Sequence, residues 1–167
     1  IGVGPGDEVI TTPVTCTATN SPIVNRGARP VWAEVDPQTG LIDPVDIDVE
    51  LFSRACEDMV DPRRRRGKIT PKAIIAVDWS GAPCDYKALK QFGIPVIQDA
   101  AHRIFVGENH GDYVCWSFGP IKHLTCGDGG GLLVPKEQYE RAKLLRWYGL
   151  DRESKSDFRC SQSIQEA

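Results

Sequence analysis

Lys72-Ala73-Ile74-Ile75-Ala76-Val77-Asp78 is the stretch whose reading decides the fold. Its five central residues are apolar without alternation, as expected of a strand covered on both faces of a parallel sheet. A helix signal follows, with Asp85 as its cap, a run to Phe92, and Gly93 past its end. Pro95 then opens a second apolar strand, Val96-Ile97-Gln98-Asp99. Strand, helix and strand in this rhythm imply right-handed parallel crossovers, and therefore an α/β fold built as a three-layer α/β/α sandwich around a mostly parallel sheet.

Working outward, the N-terminal side begins with a Gly/Pro turn and a short strand from Glu8 to Thr11. Thr15 to Val24 is expected to be a helix, with Thr or Asn side chains as caps. Arg29 to Val35 alternates as a strand, Asp36 to Gly40 is a turn, and Asp43-Pro44 opens a helix to about Met59. The basic run Arg63 to Arg66 has the composition of a solvated loop more than of a phosphate site. On the C-terminal side, Cys115-Trp116-Ser117-Phe118 reads as a strand broken by Gly119-Pro120. Lys122 follows on that turn, then the glycine-rich run Cys126-Gly127-Asp128-Gly129-Gly130-Gly131 and a second strand, Leu132-Leu133-Val134. Lys136 to Tyr148 has the period of an amphipathic helix that turns Tyr139, Ala142, Leu145 and Trp147 inward.

With 41% apolar and 26% charged residues among 167, the chain has the composition of a globular domain. A net charge of -3 offers no electrostatic footprint for nucleic acid, and no apolar run approaches a membrane span. The six cysteines form no Cys-x-x-Cys pair, which favours buried thiols in a reducing cytoplasm over disulfides or a zinc ribbon.

Two residues carry the chemistry. Asp99 ends a buried strand, and the crevice outside the carboxyl ends of such strands is where open α/β sheets bind ligands. Lys122 stands on a constrained turn after the next strand. Singly, each has a plain alternative, a helix cap for Asp99 and a solvated loop ammonium for Lys122. Together they match the needs of pyridoxal phosphate, whose aldehyde is held by a lysine and whose ring nitrogen is kept protonated by a carboxylate.

Asp99-Ala100-Ala101-His102, then Ser117-Phe118 with Lys122 five residues after the serine, then Gly127-Asp128-Gly129-Gly130, resemble the DegT–DnrJ–StrS family. Gly4 to Pro13, Gly27 to Val31 and Asp36-Pro37 are similar to further family signatures, in the same order as far as about Gly149. The resemblance implies the large domain of a fold-type-I, pyridoxal 5'-phosphate-dependent aminotransferase that acts on nucleotide-linked keto-sugars. It implies L-glutamate as amino donor, a cytoplasmic homodimer, and a role in amino-sugar or polysaccharide biosynthesis. By the same resemblance Lys122 anchors the cofactor and then serves as acid and base, and Asp99 pairs with the ring nitrogen. His102 lies near the ring, and Ser117 donates to the phosphate.

Cys16 falls where the family carries an aromatic residue that stacks on the ring, and sulfur still packs well against such a face. Asp78 stands where a histidine is usual and is assigned no role, Asp128 replaces a glutamate, and the span from His102 to Gly111 is shorter than the family's. Judged by the resemblance, residues 1–150 are the cofactor-binding domain without its N-terminal phosphate loop, and residues 151–167 are a polar tail leading towards a small C-terminal domain.

Other readings remain open at this level. Family members with a histidine at the lysine position are sugar dehydratases that use the same cofactor, and a truncated remnant would be inactive. A metal-dependent hydrolase would need Asp99, His102, His110 and Asp112 to converge, and it leaves Lys122 without a task.

Overall fold

A computed structural model describes residues 1–48 and 71–151. Its sheet has six strands: β1 (Glu8–Thr11), β2 (Arg29–Trp32), β3 (Ala73–Val77), β4 (Val96–Asp99), β5 (Tyr113–Ser117) and β6 (Gly130–Leu133). Their spatial order is β2-β1-β3-β4-β5-β6, and the pairs β1/β2, β1/β3, β3/β4 and β4/β5 are all parallel. The expected mostly parallel α/β architecture is therefore present.

The apolar run of β3 divides between the two faces, as a period of two requires. Ile74 and Ala76 join Ile10, Val31 and Val96 beneath Tyr86 and Leu89 of α2 (Tyr86–Leu89). Ala73 and Ile75 join Val9 against Ile23 of α1 (Thr17–Asn25) and Ala28. Helices thus cover both faces, which is why no polar residue interrupts β3. Ile74 is fully buried. Ile74→Ala should cost about 2–5 kcal/mol through lost transfer energy and an unfilled cavity, measured by urea unfolding.

Local chemistry bounds the elements. Asp85 caps α2 by accepting from the Ala88 N–H (2.9 Å), and Gly93 takes a left-handed φ of 65° where the following single 3-10 turn ends. Asp36 Oδ1 accepts from the Gln38 and Thr39 N–H groups (2.8 and 2.9 Å), which holds that carboxyl below its ordinary range. Buried Glu8 pairs with Arg29, its register partner on β2.

Several expectations need correction. The N-cap of α1 is Cys16, without a side-chain cap bond, because the neighbouring hydroxyls are used in tertiary contacts. Strand β2 stops at Trp32, and Val35 instead bridges antiparallel to Ile42. The edge strand β6 is largely exposed and runs over Gly130–Leu133, inside the glycine-rich run, instead of Leu132 to Val134. Residues 44–48 are helical as anticipated, whereas the helix end near Met59 and the run Arg63 to Arg66 lie outside the described residues.

The chain divides into two compact units, the first Val3–Leu132 and the second starting at Leu133. In the second, Lys136–Gln138 form a 3-10 turn and Tyr139–Arg146 the helix α3. Tyr139, Leu145 and Trp147 are exposed at 55%, 50% and 37%, so these positions are not turned inward as the periodicity of α3 predicts. Among the described residues no helix is long and apolar enough to cross a membrane.

Candidate active site

The carboxyl ends of β3, β4 and β5 lie in register, with Val77 opposite Asp99 and Asp99 opposite Cys115. Asp99 shares the face of Ile97, which packs with the cluster around α1. There Thr19 of α1 donates its hydroxyl to Asp99 Oδ2 at 2.6 Å, and the Ala101 N–H donates to Oδ1 at 3.0 Å. Because the Thr19 proton is committed to the carboxylate, the Thr15 hydroxyl at 2.7 Å must donate to Thr19. Asp99 is thus the terminus of a relay, Thr15 to Thr19 to Asp99, that sets the plane of its carboxylate. The helix is pinned in place by Asn20, which accepts from Thr11 Oγ (2.7 Å) and donates to the Thr12 carbonyl (3.0 Å).

The thiol of Cys115 lies beside this carboxylate. Burial, and secondarily the Asp99 charge, push it up to about 11 from an ordinary 9.0. The folded state therefore keeps this proton where the unfolded chain releases it, and stability falls as pH rises from about 9 to about 11. Urea unfolding over that interval should show a shallower decline for Cys115→Ala than for the wild type. Thiol reagents should reach exposed Cys16 and Cys126 before half-buried Cys115 or buried Cys84.

Two residues beyond Cys115 on the same face comes Ser117, whose Oγ accepts from the Gly119 N–H at 3.4 Å. The turn that follows is closed by the Lys122 N–H on the Gly119 carbonyl (3.1 Å). Thr125 donates to the Phe118 carbonyl (3.1 Å) and accepts from the Gly127 N–H (3.0 Å), which ties the Thr125-to-Gly127 segment to the end of β5. Gly130 has no room for a side chain, since a Cβ there would lie 2.5 Å from the Trp116 carbonyl oxygen. Lys122 is half-buried while Ile121 and His123 on either side are exposed, and among the described residues its ammonium has no ion pair.

The ring of His102 packs against Trp79 with centroids 5.4 Å apart and planes at 53°. Its carbonyl oxygen lies 2.9 Å from where a Cβ would stand on Gly81, which has a φ of +85°. Cys16 is exposed at the start of α1. Among the described residues, no hydrogen bond or ion pair joins Lys122, Ser117, His102 or Cys16 to Asp99. The convergence a metal-dependent hydrolase would need is not seen, for among the described residues no three His, Cys, Asp or Glu side chains gather. Asp112 is instead engaged by the Val96 N–H (2.8 Å) and Lys90 (3.2 Å).

Three residues escaped the sequence reading. Thr15 and Thr19 stand four apart, one helical turn, which was the available signal. Asp78, given no role, is fully buried at the carboxyl end of β3, accepts hydrogen bonds from three residues and faces the Arg103 guanidinium as an ion pair.

The site's donor set suits pyridoxal phosphate. Each oxygen of the oriented Asp99 carboxylate accepts one of these bonds and has a lone pair left for a ring N–H, and among the described residues the half-buried lysine amine is free of ion pairing.

The sequence profile of the DegT/DnrJ/EryC1/StrS aminotransferase family matches residues 1–163. The spore coat polysaccharide biosynthesis protein SpsC of Bacillus subtilis is 33% identical over 162 residues, which is 90% of this chain and 38% of SpsC. The chain thus spans less than half the length of that relative. Among solved structures, the aminotransferase TlmJ from Streptoalloteichus hindustanus superposes with a TM-score of 0.76 at 31% identity, over 96% of this chain and 42% of TlmJ. AtS13 from Actinomadura melliaura gives 0.74 at 33% identity, over 94% of this chain and 43% of AtS13.

Proposed function

The chain belongs to the DegT/DnrJ/EryC1/StrS aminotransferase family, and from that premise we propose that it carries the cofactor-binding core of a pyridoxal 5'-phosphate-dependent aminotransferase. Its substrate is a nucleotide-linked keto-sugar, its amino donor an amino acid, L-glutamate by family habit, and its working form a cytoplasmic homodimer. The polysaccharide role in the name of SpsC supports a sugar substrate. The observation that carries the reading is the Asp99 carboxylate, held by Thr19 and the Ala101 N–H at the carboxyl end of β4, with Lys122 on the turn after the neighbouring strand.

When bound, pyridoxal phosphate supplies an electron sink that lets a proton leave a carbon bearing nitrogen. The chain's own residues do the rest. Asp99 accepts a hydrogen bond from the ring nitrogen and keeps it protonated, and the Thr15–Thr19 relay keeps the acceptor oxygen aimed. The Lys122 amine holds the cofactor, then takes a proton from the substrate carbon of the donor and returns one to the acceptor sugar. The Ser117 hydroxyl donates to the phosphate, and His102 walls the ring. Cys16 is a weaker contact, its thiol offering less area than an aromatic face. A lysine at position 122, rather than a histidine, favours transamination over sugar dehydration.

The test is to incubate the intact protein with cofactor, L-glutamate and a panel of nucleotide keto-sugars. Formation of an aminated nucleotide sugar together with 2-oxoglutarate supports the proposal. Cofactor uptake without 2-oxoglutarate would overturn it.

A further inference from the structure

On the face of the sheet opposite Asp99, the fully buried Asp78 carboxylate is met from every side. Oδ1 accepts from the Cys84 N–H (3.1 Å) and the Tyr86 hydroxyl (2.6 Å). Oδ2 accepts from Gln98 Nε2 (2.5 Å) and faces the Arg103 guanidinium, with Nη1 at 3.5 Å. A buried carboxylate persists only when paired and hydrogen-bonded, so these donors are what allow a charge here. Burial pushes the Tyr86 hydroxyl well above its ordinary range, so it remains a donor.

The network ties down one segment at both of its ends. Arg103 secures the start, since its Nε also donates to the Phe105 carbonyl at 2.7 Å. Gln98 secures the end, because its Oε1 accepts from the Gly111 N–H at 3.0 Å while its amide nitrogen serves Asp78. His102 immediately precedes the first tie, inside a turn closed by the Arg103 N–H on the Ala100 carbonyl (2.9 Å). Trp79, which meets the His102 ring, is the next residue after Asp78. Asp78, Trp79, His102 and Arg103 therefore close a circuit, with two backbone links, one ring contact and one ion pair. Opening the ion pair leaves, among the described residues, the Trp79 ring contact and the close approach of the His102 carbonyl to Gly81 to hold His102 to the turn after β3.

We propose that Asp78 and Arg103 are positioning residues that fix His102 against Trp79 and so hold the wall of the cofactor site in place. This rests on the functional reading above, in which His102 faces the cofactor ring. A buried pair of this kind is a weak source of net stability, and positioning is the better-founded use of it.

The experiment compares Arg103→Met, Arg103→Lys and Tyr86→Phe in the intact protein. Tyr86→Phe removes a donor from the same carboxylate without touching the 100–111 segment, and so serves as the stability control. In cofactor-free protein, hydrogen exchange of the amides from 101 to 106 is expected to accelerate in Arg103→Met and not in Tyr86→Phe. With cofactor, Arg103→Met should lose affinity and kcat by about 10- to 100-fold with little change in the KM for glutamate, and Arg103→Lys should recover part of both. Equal exchange and equal affinity in Arg103→Met and the wild type would overturn the proposal, as would identical changes in Tyr86→Phe. A wild type that takes up no cofactor sinks the functional reading instead, and the exchange comparison then decides the positioning claim by itself.

Discussion

Lys122→Ala should abolish the visible absorption band that the protein acquires with pyridoxal phosphate and lower turnover by about 10²–10⁴-fold or more. The effect is large because the variant removes both the covalent anchor and the group that moves the proton. The structure also says why the loss would be functional. The Lys122 side chain is half-buried and, among the described residues, without an ion pair, while its turn is closed by backbone groups and by Thr125. Alanine leaves those bonds intact, so unfolding free energy should move by about 0.5 kcal/mol or less. Borohydride reduction followed by peptide mapping should place the cofactor on Lys122 in the wild type and nowhere in the variant. A well-folded wild type that shows no band would remove the basis for assigning the aminotransferase role to this chain.

Asp99→Asn is expected to be nearly as damaging to turnover and almost silent in stability. The asparagine is isosteric, its oxygen can keep the Ala101 N–H, and its amide can donate to Thr19 once that hydroxyl reverses. What disappears is the negative charge that stabilises a protonated ring nitrogen. Loss of one such fixed electrostatic partner costs about 10²–10³-fold in kcat. The Thr15–Thr19 pair sharpens the test, since Thr19→Val removes the aim of the carboxylate without its charge and should give a smaller loss, restored by Thr19→Ser. If Asp99→Asn turns over like the wild type, the carboxylate has no part in the chemistry.

The legible features were those written in short-range pattern. The five apolar residues of β3, the Asp85 cap and the terminal Gly93 are local signals, and each element fell where its signal stood. The turn around Lys122 was legible for the same reason, because Gly127, Gly129, Gly130 and Gly131 exclude a helix by composition alone. The helix α3 shows the limit of pattern. Its apolar spacing predicts a buried face, yet burial needs a partner surface that the helix's own sequence does not contain, and Tyr139 and Leu145 stand exposed.

By itself, then, the sequence determined the mostly parallel α/β class, the order of its elements, the family, and the two residues, Asp99 and Lys122, on which the proposed chemistry rests. Only the tertiary structure decided what surrounds them. Thr19 reaches Asp99 across 80 positions of chain, and Asp78 collects Tyr86 and Gln98 from two later elements and Cys84 and Arg103 from two loops. The physical reason is common to both. Propensity and periodicity act over a turn or two of chain, whereas a buried carboxylate takes its donors from whatever the folded sheet brings within about 3 Å.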